Sequence, residues 1–235
     1  MQHVLAIIPA RGGSKGIKRK NLVPLAGKPL IVHSIEHALA AKRVTRVIVS
    51  TEDKEIADAA RAAGAEVPFM RPEILAGDTV LDLPVFEHVL KELQDREGYE
   101  PDLIVHLRPT APLRKIPWID EAVDLLAANA AADSVRSVSM PSQHPYRVFR
   151  IASNGYLDPI MKQEHPTPYL LRRQELPDMY YYNCVIDVTR PTTILSMKSM
   201  TGKNILPYVM DPDEVIDIDS VRDLAIARLL MEDGC

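Results

Sequence analysis

Near the start of the chain stands Ala6-Ile7-Ile8-Pro9-Ala10-Arg11-Gly12-Gly13-Ser14-Lys15-Gly16, in which a short apolar run leads into a loop of glycine and basic residues. The run from Val4 to Ile8 predicts a buried strand, and the three glycines that follow predict a loop. Glycine lets backbone N–H groups approach a ligand closely, and Arg and Lys donate charge-assisted hydrogen bonds to oxyanions. The stretch therefore predicts a strand followed by a phosphate-binding loop.

The charge of this segment is one-sided. Six basic residues lie between Arg11 and Lys28, and no Asp or Glu precedes Glu36, although the net charge of the whole chain is -4. The spacing matches neither a P-loop, which ends in Gly-Lys-Ser/Thr, nor a dinucleotide-binding fingerprint. A solvated basic loop without a ligand remains an alternative. The position after the first strand favours a ligand, because open α/β sheets bind ligands at the carboxyl ends of their strands.

Length and composition narrow the class of protein. The chain has 235 residues, of which 46% are hydrophobic and 26% charged, as in ordinary globular proteins. No apolar run approaches the roughly 20 residues of a membrane span, and the start lacks the apolar region of a signal peptide, so we expect a cytoplasmic protein. Cys184 and Cys235 lack metal-ligand spacing. A sequence pI near 6.0 argues against a nucleic-acid polymer as partner and favours a small phosphorylated ligand.

Predicted strands and helices alternate along most of the chain. Strands are predicted at residues 4–8, 47–49, 66–69, 103–107, 134–139, 180–188 and 206–210, and helices at 30–41, 54–63, 78–96, 117–129, 191–196 and 221–232. This alternation predicts an α/β fold with three αβα layers around a mostly parallel sheet. Residues 140–178 break the rhythm with prolines and aromatics, and we expect an insertion that acts as a lid or an oligomerisation arm within a single domain of residues 1–235.

A second feature lies near the carboxyl end, in Ile216-Asp217-Ile218-Asp219. In an extended segment, residues two apart point the same way, so the two carboxylates are expected side by side, where Mg²⁺ can bridge them to phosphate. The alternative is structural, with Asp219 capping the last helix and Asp217 solvated. Together with the cationic loop, the pair is typical of a nucleotidyl transfer centre, in which a nucleophile attacks the α-phosphorus and pyrophosphate leaves.

An ordered set of motifs makes the hypothesis more specific. The set consists of residues 10–16, Lys20-Asn21-Leu22, Ser50-Thr51, Arg71-Pro72 with Asp78-Thr79, Arg108-Pro109-Thr110-Ala111-Pro112-Leu113-Arg114, Arg173-Gln174-Glu175-Leu176-Pro177, Asn183 and Ile216-Asp217-Ile218-Asp219. In this order it resembles the acylneuraminate cytidylyltransferases, the CMP-sialic acid synthetases. The resemblance implies a Rossmann-like nucleotidyltransferase sheet and a reaction that couples CTP to a nine-carbon 2-keto sugar acid, with Mg²⁺ on Asp217 and Asp219.

The resemblance also implies roles for individual residues. Those expected to act in catalysis are Arg11, Lys20, Asp217 and Asp219; those expected to bind the nucleotide are Ala10, Arg11, Gly12, Gly13, Ser14, Lys15, Asn21, Asp78, Arg108 and Thr110; and those expected to bind the sugar are Lys162, Arg173, Gln174 and Asn183. In the family, the insertion is a dimerisation arm through which the match to Arg173 reaches the partner's site. We therefore expect a homodimer formed through residues 140–178.

This chain departs from the family pattern at two positions. Arg108 replaces a Gln that reads the base, and Arg cannot accept a hydrogen bond from the amino group of cytosine. Cys184 replaces a Gly, which opens the possibility of a reshaped sugar pocket. A sister nucleotidylyltransferase that uses an octulosonate or another base such as GTP therefore remains an alternative. More distant alternatives are a glycosyltransferase of related fold and a nucleotide-binding regulator without catalysis.

Overall fold

A computed structural model describes residues 2–161 and 167–232 of the chain. The strands are β1 (Val4–Pro9), β2 (Pro24–Leu25), β3 (Lys28–Pro29), β4 (Arg46–Ser50), β5 (Leu103–His106), β6 (Ser134–Ser139), β7 (Phe149–Ile151), β8 (Leu157–Pro159), β9 (Tyr181–Thr189) and β10 (Ile205–Val209). The α-helices are α1 (Leu30–Ala40), α2 (Lys54–Ala62), α3 (Asp82–Glu97), α4 (Ile116–Ala127), α5 (Pro191–Leu195) and α6 (Val221–Glu232). In the described residues, no helix has the length and apolar character needed to cross a membrane.

The central sheet has six strands in the order β10-β6-β9-β5-β1-β4. Strand β1 pairs in parallel with β4 and β5, and β10 pairs in parallel with β6. Strand β9 is antiparallel to both of its neighbours. The predicted α/β fold with a mostly parallel sheet is thus confirmed, and β9 is the antiparallel element within it.

Helices cover both faces of the sheet, because successive side chains of a strand point to opposite faces. On one face, Ala6 and Ile8 of β1 belong to a buried cluster with α1, α2 and α4. On the other face, Leu5 and Ile7 pack with α3 and with Ile194 of α5. The apolar run of β1 is therefore buried on both sides, as is typical of a central strand in a three-layer αβα structure.

A third, smaller cluster packs residues 25–30 against residues near the carboxyl end of the chain. Leu25 of β2 and Leu30 of α1 pack against Ile218 and against Leu224 of α6. Ile218 is completely buried, and its main-chain N–H donates to the carbonyl of Thr110 over 2.8 Å. This packing fixes the segment that carries Asp217 and Asp219 beside the loop that follows β1.

The strand predicted at residues 66–69 was wrong. Glu66 alone forms an isolated parallel bridge, to Ile48, and the following residues leave the sheet. The alternation of buried Val67 and Phe69 suggested a strand, but Pro68 between them has no N–H to donate to a ladder.

The start predicted for the third helix, at Asp78-Thr79, was also wrong, since α3 begins at Asp82. A helix that began at residue 78 would need the N–H of residue 84, and that residue is Pro84. Beginning at Asp82 places the proline in the first turn, where no such bond is required. Residues 78–81 therefore lie before the helix, and Asp78 forms ion pairs with the cationic loop instead of capping a helix.

The predicted insertion leaves the sheet between β6 and β9. Strands β7 and β8 form a two-stranded antiparallel hairpin there, and Ile151, Leu157 and Leu170 expose 77%, 67% and 73% of their surfaces. Lys162 lies outside the described residues.

Candidate active site

A cavity of about 420 Å³ opens where β1 ends. The cationic loop and one of the two predicted acids line it, since Arg11, Lys15 and Lys20 face the same space as Asp219, whereas Asp217 is not among the residues that line it. Other residues from the predicted set that line the cavity are Ser14, Asn21, Asp78, Arg108 and Thr110. Residues separated by about 200 positions in sequence thus share one polar cavity, with Lys20 and Asp219 199 positions apart.

The groups of this loop that are suited to binding phosphate are paired with carboxylates of the chain. Asp78 accepts from Arg11 over 3.0 Å and from Lys15 over 2.9 Å. The N–H of Gly12 donates to Oε1 of Glu52 over 2.7 Å. The Lys15 ammonium holds the pKa of Asp78 below its ordinary value. A phosphate ligand that used these donors would have to replace the carboxylates on them.

Different structural constraints explain why glycine stands at each of these positions of the loop. A Cβ on Gly12 would collide with the Asp53 side chain, and a Cβ on Gly16 would collide with the main-chain oxygen of Asp219. A Cβ on Gly13 would meet nothing within 4 Å. Packing therefore accounts for Gly12 and Gly16, whereas Gly13 has room on its surface for a ligand. Ala10 is buried at the start of the loop.

One side chain, that of Asn21, fixes the shape of the loop, and another, that of Lys20, attaches the loop to the acidic segment. The amide nitrogen of buried Asn21 donates to the carbonyl of Arg11 over 2.9 Å. The ammonium of Lys20 donates to the carbonyl of Ile218 over 2.8 Å and to Oδ1 of Asp219 over 2.9 Å. Lys20 is therefore the direct link between the cationic loop and the acidic segment.

The two aspartates of the acidic segment have different environments. Asp219 is exposed over 76% of its side chain and pairs with Lys20. Asp217 is partly buried and hydrogen-bonds with the Thr110 side chain, and its Oδ1 atom is buried with no hydrogen-bond partner in the described residues. Burial raises the pKa of Asp217. A buried carboxylate oxygen without a partner calls for a proton or a cation from outside the chain.

These carboxylates fit Mg²⁺ when a nucleotide is also present. Within residues 2–161 and 167–232, no group of three or more His, Cys, Asp or Glu side chains forms a ready-made metal site. Mg²⁺ does not require one, because it is commonly held by one or two carboxylates together with substrate phosphates and water. The unpartnered oxygen of Asp217 is the feature that fits such an ion.

Arg108 lines the cavity and is held by a charged network below it. Its guanidinium donates to Asp82 over 2.8 Å, to Asp187 over 3.0 Å and to the Tyr182 hydroxyl. Asp187 is fully buried and also pairs with Arg136 over 2.8 Å. The site predicted from the sequence did not include Asp82 or Asp187. The available signal for Asp187 was a carboxylate within the apolar run of β9, which requires a buried cationic partner.

Arg71 is a further residue of the cavity that the predicted site did not include. It is 6% exposed and donates to the side chain and carbonyl of Ser50. Burial lowers the pKa of its guanidinium, and in the described part of the chain no carboxylate lies within ion-pair distance of it. The motif Arg71-Pro72 was the signal for it in the sequence.

None of the predicted sugar-binding residues that the structure describes lines this cavity. Arg173 and Gln174 are exposed on the insertion, where Arg173 lines a separate cavity of about 270 Å³. Asn183 is 4% exposed, and its amide bonds to Ser137 and Ser139 of the neighbouring strand β6.

Cys184, the second departure from the family pattern, has a backbone φ of 63°. This is the left-handed conformation, which favours glycine. The backbone of β9, at the point where its register with β6 shifts, therefore explains why glycine suits this position. Cys184 does not line the main cavity.

Comparison with known proteins gives consistent matches. A family model described as cytidylyltransferase matches residues 5–205. The chain is 36% identical over 230 residues to the CMP-N,N'-diacetyllegionaminic acid synthase of Legionella pneumophila, covering 97% of this chain and 96% of that protein. It is 30% identical over 227 residues to the pseudaminic acid cytidylyltransferase of Campylobacter jejuni, covering 96% and 95%.

Two further matches differ in extent or in closeness. The chain is 31% identical to the N-acylneuraminate cytidylyltransferase of Escherichia coli, covering 97% of this chain and 52% of that protein. Among solved structures, CMP:2-keto-3-deoxy-manno-octonic acid synthetase complexed with CTP has a TM-score of 0.75, with 19% identity and 100% coverage of both chains. At that identity, the structural likeness shows the fold alone.

Proposed function

Since this chain belongs to the cytidylyltransferase family, we propose that it transfers the cytidylyl group of CTP to an acidic nine-carbon 2-keto sugar, forming a CMP-sugar and pyrophosphate. The observation that carries the proposal is the single cavity in which Arg11, Lys15 and Lys20 face Asp219. Such a cavity provides cations for a triphosphate and, in Asp219, a carboxylate for its metal within reach of each other. A glycosyltransferase would not need the cations, and a regulator would not need the carboxylates.

The chain's own residues bind and orient the triphosphate. Arg11, Ser14, Lys15 and Lys20 take the phosphate oxygens, and Asp78 and Asp219 give up the cations that they hold in the free protein. Asp217 and Asp219 would hold Mg²⁺, which supplies charge neutralisation on the phosphates. The sugar hydroxyl loses its proton to water as its oxygen forms a bond to the α-phosphorus, and the bond to the bridging oxygen of pyrophosphate breaks, so that pyrophosphate leaves. Most of the catalysis is therefore positioning and electrostatic stabilisation.

The proposal is tested by supplying each nucleoside triphosphate with Mg²⁺ and, in turn, a sialic, pseudaminic, legionaminic or octulosonic acid. We expect pyrophosphate release only when CTP is combined with a nonulosonic acid. Release with octulosonic acid or with GTP would identify a sister enzyme and overturn this assignment. No release with any pair, from protein that binds CTP, would favour the non-catalytic alternative.

The insertion, we propose, joins two copies of the chain and places Arg173, Gln174 and Lys162 at the partner's sugar site. Support comes from the apolar side chains of Ile151, Leu157 and Leu170, which are exposed close to one another in sequence on a segment that leaves the sheet. Exposed apolar groups of this kind mark protein interfaces. Arg173 is exposed and lies outside the main cavity of its own chain, so it is available to contact the cavity of a second copy.

Mixed dimers test the role of Arg173 in trans. Arg173→Ala and Asp219→Asn are each expected to lose activity alone. If the two residues act in the same site from different chains, co-expression of both variants restores about a quarter of the wild-type sites, because half of the dimers are mixed and one site in each is intact. Mixed dimers with no activity above that of the single variants would contradict the arrangement. So would a wild-type protein that is fully active as a monomer.

A further inference from the structure

Arg108 lines the cavity and keeps two of its donors unpaired within the described residues. A guanidinium has five N–H donors. In Arg108, Nη1 donates to Tyr182 and Asp187, and Nη2 donates to Asp82. Among the described residues, its Nε–H and one N–H of Nη2 have no partner. The side chain is 22% exposed and lines the cavity, so these two groups are the ones available to a ligand.

A network formed by Asp187, Arg136 and Tyr182 fixes the position of this guanidinium. Asp187 is completely buried and receives both Arg108 and Arg136, and the ring of Tyr182 lies 5.4 Å from the Arg108 guanidinium carbon. The positive charges of Arg108 and Arg136 are balanced by the negative charges of Asp82 and Asp187. These contacts hold the Arg108 guanidinium rigidly, so its two unpaired donors lose little conformational entropy when a ligand binds.

The chemistry of the proposed substrate says where its carboxylate must lie. In a 2-keto sugar acid, the carbon that bears the reacting hydroxyl also bears the carboxylate. When the hydroxyl attacks the α-phosphorus, the carboxylate must therefore lie within a few ångströms of the reacting atoms. Its binding group must belong to the main cavity, beside the acidic segment.

Among the cations that this chain itself contributes to the cavity, Arg108 is the one placed for that task. Arg11, Lys15 and Lys20 belong to the loop that takes the triphosphate, and Arg71 is bonded to Ser50. Arg108 lies two residues before Thr110, whose side chain hydrogen-bonds with Asp217. Arg is also the side chain best suited to grip a carboxylate with two parallel hydrogen bonds.

We propose that Arg108 binds the carboxylate of the acidic sugar within its own chain, and that Asp82, Asp187 and Tyr182 are positioning residues for it. The proposal rests on the function proposed above and adds a residue that determines selectivity for an acid. It gives Arg108 a role other than reading the base.

The test compares Arg108→Gln with wild type on two sugars, the acid and its carboxamide. With the acid, we expect Arg108→Gln to raise the KM for the sugar by about 10- to 100-fold, the loss of a charged hydrogen-bonding pair. The KM for CTP should change by less than about threefold. With the carboxamide, the two proteins should have similar KM values, because the ligand has no charge for Arg108 to bind.

Further variants separate this role from a structural one. Arg43→Gln removes an exposed ion pair with Asp124 away from the cavity and should leave both KM values unchanged. Arg108→Lys keeps the charge but loses the planar fork, so it should raise the sugar KM by less than Arg108→Gln does. If Arg108→Gln does not fold, Arg108→Lys and Tyr182→Phe, which removes one bond to the guanidinium, provide the same comparison.

The outcomes distinguish this proposal from the proposed function. A wild-type enzyme that turns over the acid, with an Arg108→Gln variant that raises only the KM for CTP, would overturn the role of Arg108 and leave the activity intact. Equal losses with the acid and the carboxamide would also overturn it. A wild-type protein that releases no pyrophosphate with any sugar acid would refute the proposed function itself.

Discussion

In the Asp217→Asn variant, turnover is expected to fall by about 10²- to 10⁴-fold, the effect of removing several kcal/mol of charge stabilisation at a metal site. The melting temperature of the free protein should stay at or above that of wild type. Asp217 Oδ1 is buried without a partner, so the carboxylate costs stability until a ligand arrives. Asn keeps an oxygen for the bond with Thr110 and removes the charge. The measurements are kcat and a thermal melt without ligand.

The neighbouring acids provide the controls. Asp219→Asn should also lose turnover while still binding CTP, which a CTP-induced rise in melting temperature would report. Asp223→Asn makes the same substitution in the capping box of α6, where Oδ2 of Asp223 accepts from the main-chain N–H groups of Asp219 and Ser220, and Asn keeps an oxygen that can accept from both. We expect it to lower stability by up to about 1 kcal/mol and to keep turnover. Wild-type kcat in either Asp217→Asn or Asp219→Asn would refute the proposed metal site.

Gly16→Ala is expected to lower kcat by about 10- to 100-fold, although it adds only a methyl group. That group would collide with the main-chain oxygen of Asp219, so the acidic segment must move away from the loop. Misplacement of a catalytic group by about 1 Å costs on the order of 10²-fold in rate. The measurement is kcat at saturating CTP and sugar, together with the melting temperature in the presence and absence of CTP.

Gly13→Ala is the matched comparison for Gly16→Ala. Its added methyl group meets no atom within 4 Å, so the melting temperature of the free protein should not change. Any effect of Gly13→Ala should therefore be confined to nucleotide affinity, reported by the KM for CTP. If Gly16→Ala retained wild-type kcat, the close approach of the loop to Asp219 would have no functional importance.

Both predictions depend on a contact between the two ends of the chain. Lys20 bonds to the carbonyl of Ile218 and to Asp219, and buried Ile218 packs with Leu25 and Leu30. The polar contact alone would be weak, because Asp219 is mostly exposed and surface ion pairs contribute little. The apolar packing of Ile218 holds the segment in place, and the ion pair orients the carboxylate.

The amino-acid sequence by itself determined the fold class and supplied the candidate residues for both halves of the site. The run before Arg11 is apolar at every position from Val4 to Ile8, which is a local signal for a doubly buried strand. Glycine and cations in the loop, and Asp217 with Asp219, are recognisable because phosphate and Mg²⁺ impose local requirements on residue type.

The tertiary structure alone decided which groups meet. Asp78 caps no helix and pairs with Arg11 and Lys15, because Pro84 delays the start of α3. Arg108 is tied to Asp82 and Asp187, which lie 26 and 79 positions away. Periodicity and spacing report only the nearest few residues, whereas these partners are selected by the packing of separate elements around the sheet, and that packing depends on the whole chain.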